Sequence, residues 1–146
     1  MLPDTVAAAR LALYVLWTGL CLTVYIPALL LRRGYRQVSM FYWHVALTLI
    51  FGVKVTTRGT LSAQRPLLCV SNHVSYIDIM VLCALIPGSF VSKAEVRGWP
   101  GIGFLAAIAR TIFVERRVSA TAQHRNIIAE RLQDGEPIIL FPEGTS

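Results

Sequence analysis

The sequence is short of charge. Of its 146 residues only 15% are Asp, Glu, Lys or Arg, against about 25% in an ordinary soluble domain, while 55% are hydrophobic and the mean hydropathy is +0.57. This composition excludes a disordered, solvated chain. Acidic residues are the scarcer sign: 8 Asp plus Glu stand against 14 Lys plus Arg, for a net charge of +6 and an isoelectric point near 9.7. A chain that is basic and apolar at once suits an anionic lipid surface better than nucleic acid. Cysteine is scarce too. Cys21, Cys69 and Cys83 are odd in number, sit among apolar residues and lack C-x-x-C spacing, which argues against a disulfide framework or a zinc cluster and fits a reducing compartment. There is no P-loop, no G-x-G-x-x-G run, no H-E-x-x-H pair and no internal repeat, so no metal and no nucleotide cofactor are implied.

Charge is almost missing from the start of the chain. Through residue 31 only Asp4 and Arg10 are charged, and they cancel, so the whole +6 belongs to residues 32–146. Leu11 to Leu31 is a run of 21 uncharged residues. As a helix rising about 1.5 Å per residue it reaches across the roughly 30 Å hydrocarbon core. It reads as a membrane helix more than as a signal peptide, whose apolar region is usually about 7 to 15 residues. Pro27 is expected to kink its end. Arg32, Arg33 and Arg36 follow directly, and the positive-inside bias puts everything after residue 31 on the cytoplasmic side. Residues 1–36 are therefore expected to be a membrane anchor, single-pass or monotopic. Met40 to Val53, a 14-residue apolar stretch with aromatics at its start, is too short to span comfortably. It is expected to lie in the interface or to re-enter beside the first helix, with His44 as an interfacial polar group.

Beyond Lys54, short β-rich runs alternate with helical stretches separated by Gly and Pro, the pattern of an α/β domain. Strands are expected at Pro66 to Ser71, Ser89 to Lys93, Thr111 to Glu115 and in the run PIIL from Pro137. Helices are expected at Ile77 to Ile86, Gly101 to Ala109 and Ser119 to Gln133, with Gly135 where a helix C-cap belongs. The pair Gly101 and Gly103 reads as helix packing.

Candidate chemistry lies at the strand ends. In NHVSYID, Asp78 comes five residues after His73. Five residues of regular helix turn about 500°, which leaves the two side chains about 140° apart, so His73 must precede the helix for the two to meet. With Ser75 as N-cap, Asp78 falls at the third helical position, where exposed amides and the helix dipole favour its carboxylate, and the loop can fold His73 back onto it. The plain alternative is a capping box of the S-x-x-D type beside an incidental histidine. The terminal FPEGTS, directly after PIIL, places a carboxylate and turn amides where open α/β sheets bind ligands, or is an ordinary exit from a strand.

Together these segments resemble the glycerolipid acyltransferase family, which includes 1-acylglycerol-3-phosphate O-acyltransferase. NHVSYID matches the family's N-H-x-x-x-x-D block, TIFVER (Thr111 to Arg116) its second block and FPEGTS its third, and KAEVRGWPGIG (Lys93 to Gly103) is similar to the segment between the first two. The resemblance covers about residues 40–146. Thr111 follows Arg110 where the family commonly has Gly, and the family's domain runs on past the third block to a fourth, whereas this sequence stops at Ser146. The fold implied is α/β: part of a glycerol-3-phosphate acyltransferase-type mixed sheet flanked by helices, occupying residues 37–146.

The activity implied is transfer of a fatty acyl group from acyl-CoA or acyl carrier protein to the free hydroxyl of 1-acylglycerol-3-phosphate (lysophosphatidic acid), giving phosphatidic acid. Another lyso-lipid, including an amino-acid-based one, is the alternative acceptor. His73 would be the general base and Asp78 would hold its ring, as the aspartate does in the serine-hydrolase triad. No protein nucleophile is needed, and no cofactor beyond the donor's thioester. Arg116 would meet the acceptor phosphate, with Arg117 and Lys93 as weaker candidates. Glu143, Gly144 and Thr145 would shape the acceptor site through a carboxylate and turn amides. The expected partners are membrane lipids, the lyso-lipid and the thioester donor, and no nucleic acid; the expected place is the cytoplasmic face of a bacterial inner membrane. Two other classes stay open: a membrane-anchored hydrolase with Ser71 or Ser75 as nucleophile, disfavoured by the lack of a G-x-S-x-G elbow, and a non-catalytic membrane adaptor.

Overall fold

A computed structural model describes residues 4–115 and 121–142. The chain divides into two units, Met1–Gly59 with Ser75–Pro87, and Thr60–Val74 with Gly88–Ser146.

The first unit is helical. Helix α1 (Asp4–Leu30) has 27 residues, is apolar and long enough to cross a membrane, and buries only Tyr25. It begins seven residues before the uncharged run, because Asp4 suits a helix N-terminus and Arg10 does not interrupt the turn. Pro27 is accommodated one turn from the end, where its own carbonyl still accepts from the Leu31 N–H at 2.9 Å. Two left-handed residues, Arg32 (φ 52°) and Gly34 (φ 73°), reverse the chain into helix α2 (Tyr35–Val45), which continues as a π-helical turn, Ala46–Ile50.

This second limb runs back along α1. The Tyr25 and Tyr35 rings meet at 6.3 Å, the Trp17 indole donates to the Tyr42 carbonyl at 3.1 Å, the hydroxyls of Thr18 and Tyr42 lie 2.9 Å apart, and Tyr14 faces Phe51 at 5.3 Å. Ala46, Leu47 and Ile50 of the π-turn are buried. The apolar stretch that begins at Met40 thus lies, as far as Ile50, in the returning limb of a helical hairpin, with His44 exposed on it. Helix α3 (Tyr76–Leu85) packs against α2.

The second unit is a sheet with helical connections. Strands β1 (Leu68–Val70), β2 (Ser89–Lys93), β3 (Ile112–Val114) and β4 (Ile138–Leu140) lie in the order β1-β4-β2-β3. The registers pair Cys69 with Ile139, Phe90 with Ile139, and Ser92 with Phe113. A mixed sheet was the expectation from family resemblance; all the described strands are parallel. The reason is local, since each successive pair is joined through a helix, which returns the chain to the same edge. Between β2 and β3 come a 3₁₀ turn (Ala94–Gly98) and helix α4 (Ile102–Ile108), and between β3 and β4 comes helix α5 (Thr121–Gln133). The centre is β4, whose Ile138 and Ile139 are wholly buried. Helix α5 closes on Gly135 at φ 77°, with the Glu136 N–H reaching the Arg131 carbonyl at 3.0 Å, a Schellman-type stop.

Candidate active site

Because the strands are parallel, their C-terminal ends share one edge of the sheet. The His73 loop leaves β1 there, Lys93 ends β2, Glu115 follows β3, and Phe141 follows β4. The Ser71 N–H donates to the Leu140 carbonyl at 3.1 Å, which ties the start of the His73 loop to the end of β4. Two residues further on, the imidazole of His73 lies flat on the Phe141 ring, with centroids 4.2 Å apart and planes 19° from parallel. On the other strand neighbour of β4, the buried Phe90 ring stacks with Phe141 at 5.8 Å and 30°. At the end of β3 the Glu115 N–H points to Nε2 of His124 on α5 at 3.4 Å.

Asp78 belongs to the helical unit. Ser75 is the N-cap of α3, with extended backbone, and its Oγ accepts from the Ile77 N–H at 3.2 Å. Asp78 at the third helical position reaches back through Oδ2 to the Ser75 N–H at 2.8 Å. This is the capping box that the S-x-x-D pattern predicts, and it fixes the aspartate's backbone and one carboxylate oxygen. Arg116, Arg117, Glu143, Gly144 and Thr145, all expected at the acceptor site, lie outside the described residues.

The cysteines offer no nucleophile here. Burial pushes the Cys83 thiol up to about 12, and burial also raises Cys69, against a smaller opposing pull from Arg65. A thiol so placed stays protonated at neutral pH.

One cluster escaped the sequence reading. At the opposite edge of the sheet, where the strands begin, Glu136 is 3% exposed. Its Oε1 accepts from Ser89 Oγ, its Oε2 pairs with Arg110 at 3.1 Å, and Arg131 lies 3.7 Å from Oε1 while donating to the Arg110 carbonyl at 2.6 Å. The first residue of β2, the residue after the C-cap of α4 and a residue of the last turn of α5 meet on one carboxylate. No pattern in sequence announces such a meeting; the only trace is a charged residue placed directly before a buried strand.

A parallel α/β sheet with a histidine on a loop at its C-terminal edge defines a class of enzyme-like folds, and comparison with known proteins narrows it. The family model described as Acyltransferase matches residues 52–146, and the chain belongs to that family. It is similar to the lyso-ornithine lipid O-acyltransferase of Rhizobium meliloti (strain 1021), 44% identical over 106 residues, which cover 72% of this chain and 36% of that protein. The lyso-ornithine lipid O-acyltransferase of Brucella abortus (strain 2308) is 42% identical over 117 residues, 80% of this chain and 44% of that one. The 1-acyl-sn-glycerol-3-phosphate acyltransferase of Neisseria gonorrhoeae is 36% identical over 88 residues, 58% and 34% of the two chains. The chain thus spans less than half the length of these curated relatives. No solved structure matches it.

Proposed function

We propose that the protein is a membrane-bound lyso-lipid O-acyltransferase, with His73 as general base and Asp78 as the group that orients it. The observation carrying this reading is the N-H-x-x-x-x-D block within a chain of the acyltransferase family, supported by the position of His73 beyond the C-terminal end of a parallel strand. In the reaction, the acceptor hydroxyl oxygen attacks the carbonyl carbon of the acyl thioester as His73 takes its proton. The new C–O bond forms, the C–S bond breaks, and the departing thiolate recovers the proton from the imidazolium, leaving an ester and a free thiol. Asp78, accepting from the imidazole, would fix its tautomer and stabilise its charged form.

The acceptor is read as a lyso-ornithine lipid, because the relatives named for that substrate are 44% and 42% identical to this chain, against 36% for the relative named for 1-acylglycerol-3-phosphate. The second reading keeps 1-acylglycerol-3-phosphate, which Arg116 would meet at its phosphate; an ornithine headgroup would offer that arginine a carboxylate instead. The long, nearly unburied α1 supports membrane attachment. No cofactor beyond acyl-CoA or acyl carrier protein is called for. Membranes from cells expressing the protein, given a labelled acyl thioester with each lyso-lipid in turn, test both points by lipid mass spectrometry. Diacyl product from lyso-ornithine lipid supports the first reading, product from the phosphate acceptor alone supports the second, and release of free fatty acid would indicate a hydrolase.

A further inference from the structure

We infer that Phe141 is a positioning residue for His73, holding the plane of the imidazole through an aromatic row anchored in the core of the sheet; this rests on the reading of His73 as the base. His73 stands on a loop three residues beyond the end of β1. Phe141, in contrast, is the first residue after β4, the strand that holds the two wholly buried isoleucines. Its ring lies between His73 at 4.2 Å and Phe90 at 5.8 Å, and Phe90 is itself 8% exposed. The three rings form one row, running from the buried Phe90 on β2 through Phe141 to the imidazole.

The geometry has two consequences for proton transfer. The N–H and lone pair of an imidazole lie in its ring plane, and the stack on Phe141, 19° from parallel, sets how that plane is oriented. A reacting group held in one orientation removes a search that costs rate, and a displacement of about 1 Å at such a group costs on the order of 10²-fold. The negative face of the Phe141 ring also favours the imidazolium that forms as the acceptor oxygen attacks, so the contact strengthens toward the transition state and acts on kcat. Neither Phe141 nor Phe90 carries a group that could bind donor or acceptor by hydrogen bond.

The test uses the protein in its membrane or in detergent, with Phe141→Leu, Phe141→Tyr, Phe90→Leu and His73→Ala. Phe141→Leu should lower kcat by roughly 10- to 100-fold with both KM values within about twofold, Phe141→Tyr should restore most of the rate, and Phe90→Leu should act in the same direction but less. A signature independent of activity is the proton resonance of the His73 ring, displaced by the ring current of Phe141 in the parent protein and returned toward its ordinary position in Phe141→Leu. An unchanged kcat in Phe141→Leu, or a His73 resonance that does not respond, overturns the inference. So does a loss that appears in KM for both substrates and is not rescued by Phe141→Tyr, since that marks a pocket wall or a folding defect. Wild-type transfer by His73→Ala instead sinks the base assignment itself, and the positioning role with it, whatever the resonance shows.

Discussion

At the scale of single residues, the same chain holds two carboxylates with opposite duties. Glu136 is buried beneath the sheet and satisfied by a hydroxyl and two guanidinium groups, whereas Asp78 spends one oxygen on a helix cap. Glu136→Ala should therefore cost about 2 kcal/mol, discounted from the cost of breaking a fully buried pair because the arginine side chains are 36% and 26% exposed. Denaturant melts of the parent and variant check it. Asp78→Asn should fold normally, since an amide oxygen can still cap α3, yet lose acyl transfer by on the order of 10²- to 10⁴-fold; His73→Ala should lose at least as much. Intact stability with lost turnover is the expected pair of readings. Normal turnover in Asp78→Asn would reduce the aspartate to its capping role. The Ser75–Asp78 cap was legible because its partners lie three residues apart. The Glu136 cluster was not, because Ser89 is 47 residues from its partner and Arg110 is 26.

At the scale of elements, helix endings show local preference giving way to tertiary contact. Helix α4 stops at Arg110, which takes a left-handed conformation (φ 63°) where glycine is the usual choice, with the Thr111 N–H bonded to the Ala106 carbonyl at 3.1 Å. The strain of about 1 kcal/mol is offset by the ion pair that this position gives to Glu136, a charged hydrogen bond worth about 1.5 to 3 kcal/mol. Arg110→Gly should accordingly destabilise by about 1 kcal/mol although it relaxes the backbone, as denaturant melts would read; a stabilised Arg110→Gly protein would show that the pair contributes less than the strain it offsets. Gly103 is the converse case. Its place inside α4 is demanded by packing, because a Cβ there would overlap the carbonyl oxygen of Arg97. The packing reading of the Gly101 and Gly103 pair thus holds for Gly103 alone; Gly101 has open space around it and precedes the helix at φ 70°. The strand and helix positions were legible from apolar runs and Gly/Pro punctuation, and SFVSK is the strand β2 to its ends. Helix α2 was not, since its first turn carries Arg36 and Gln37, and the apolar run that begins at Met40 looks like a separate segment.

At the scale of the whole molecule, the hairpin alters what charge placement alone predicts for the membrane. From charge, α1 crosses once with Arg32, Arg33 and Arg36 in the cytoplasm and Asp4 outside. Yet the return limb Tyr35 to Ile50 is about 24 Å long at 1.5 Å per residue, and it brings Phe51 level with Tyr14. If α1 crosses and the hairpin stays closed, Lys54 emerges on the side where Arg10 stands, opposite the proposed cytosolic thioester donor. Sinking the hairpin tip-first from the cytoplasm is no better, because each arginine at the bilayer centre costs about 2.5 to 3.5 kcal/mol. The arrangement expected from the charges, the closed hairpin and the proposed cytosolic donor lays both limbs along the cytoplasmic leaflet, with the exposed Leu13, Leu16 and Leu20, on one side of α1, toward the acyl chains and the arginines at the headgroups. Cysteines placed at Thr5 and Thr56 should then both resist an impermeant thiol reagent in sealed cells and both react once the membrane is opened. Labelling at Thr5 alone means a single crossing with the hairpin opened, and labelling at both places the two ends of the hairpin outside; either pattern refutes the surface arrangement.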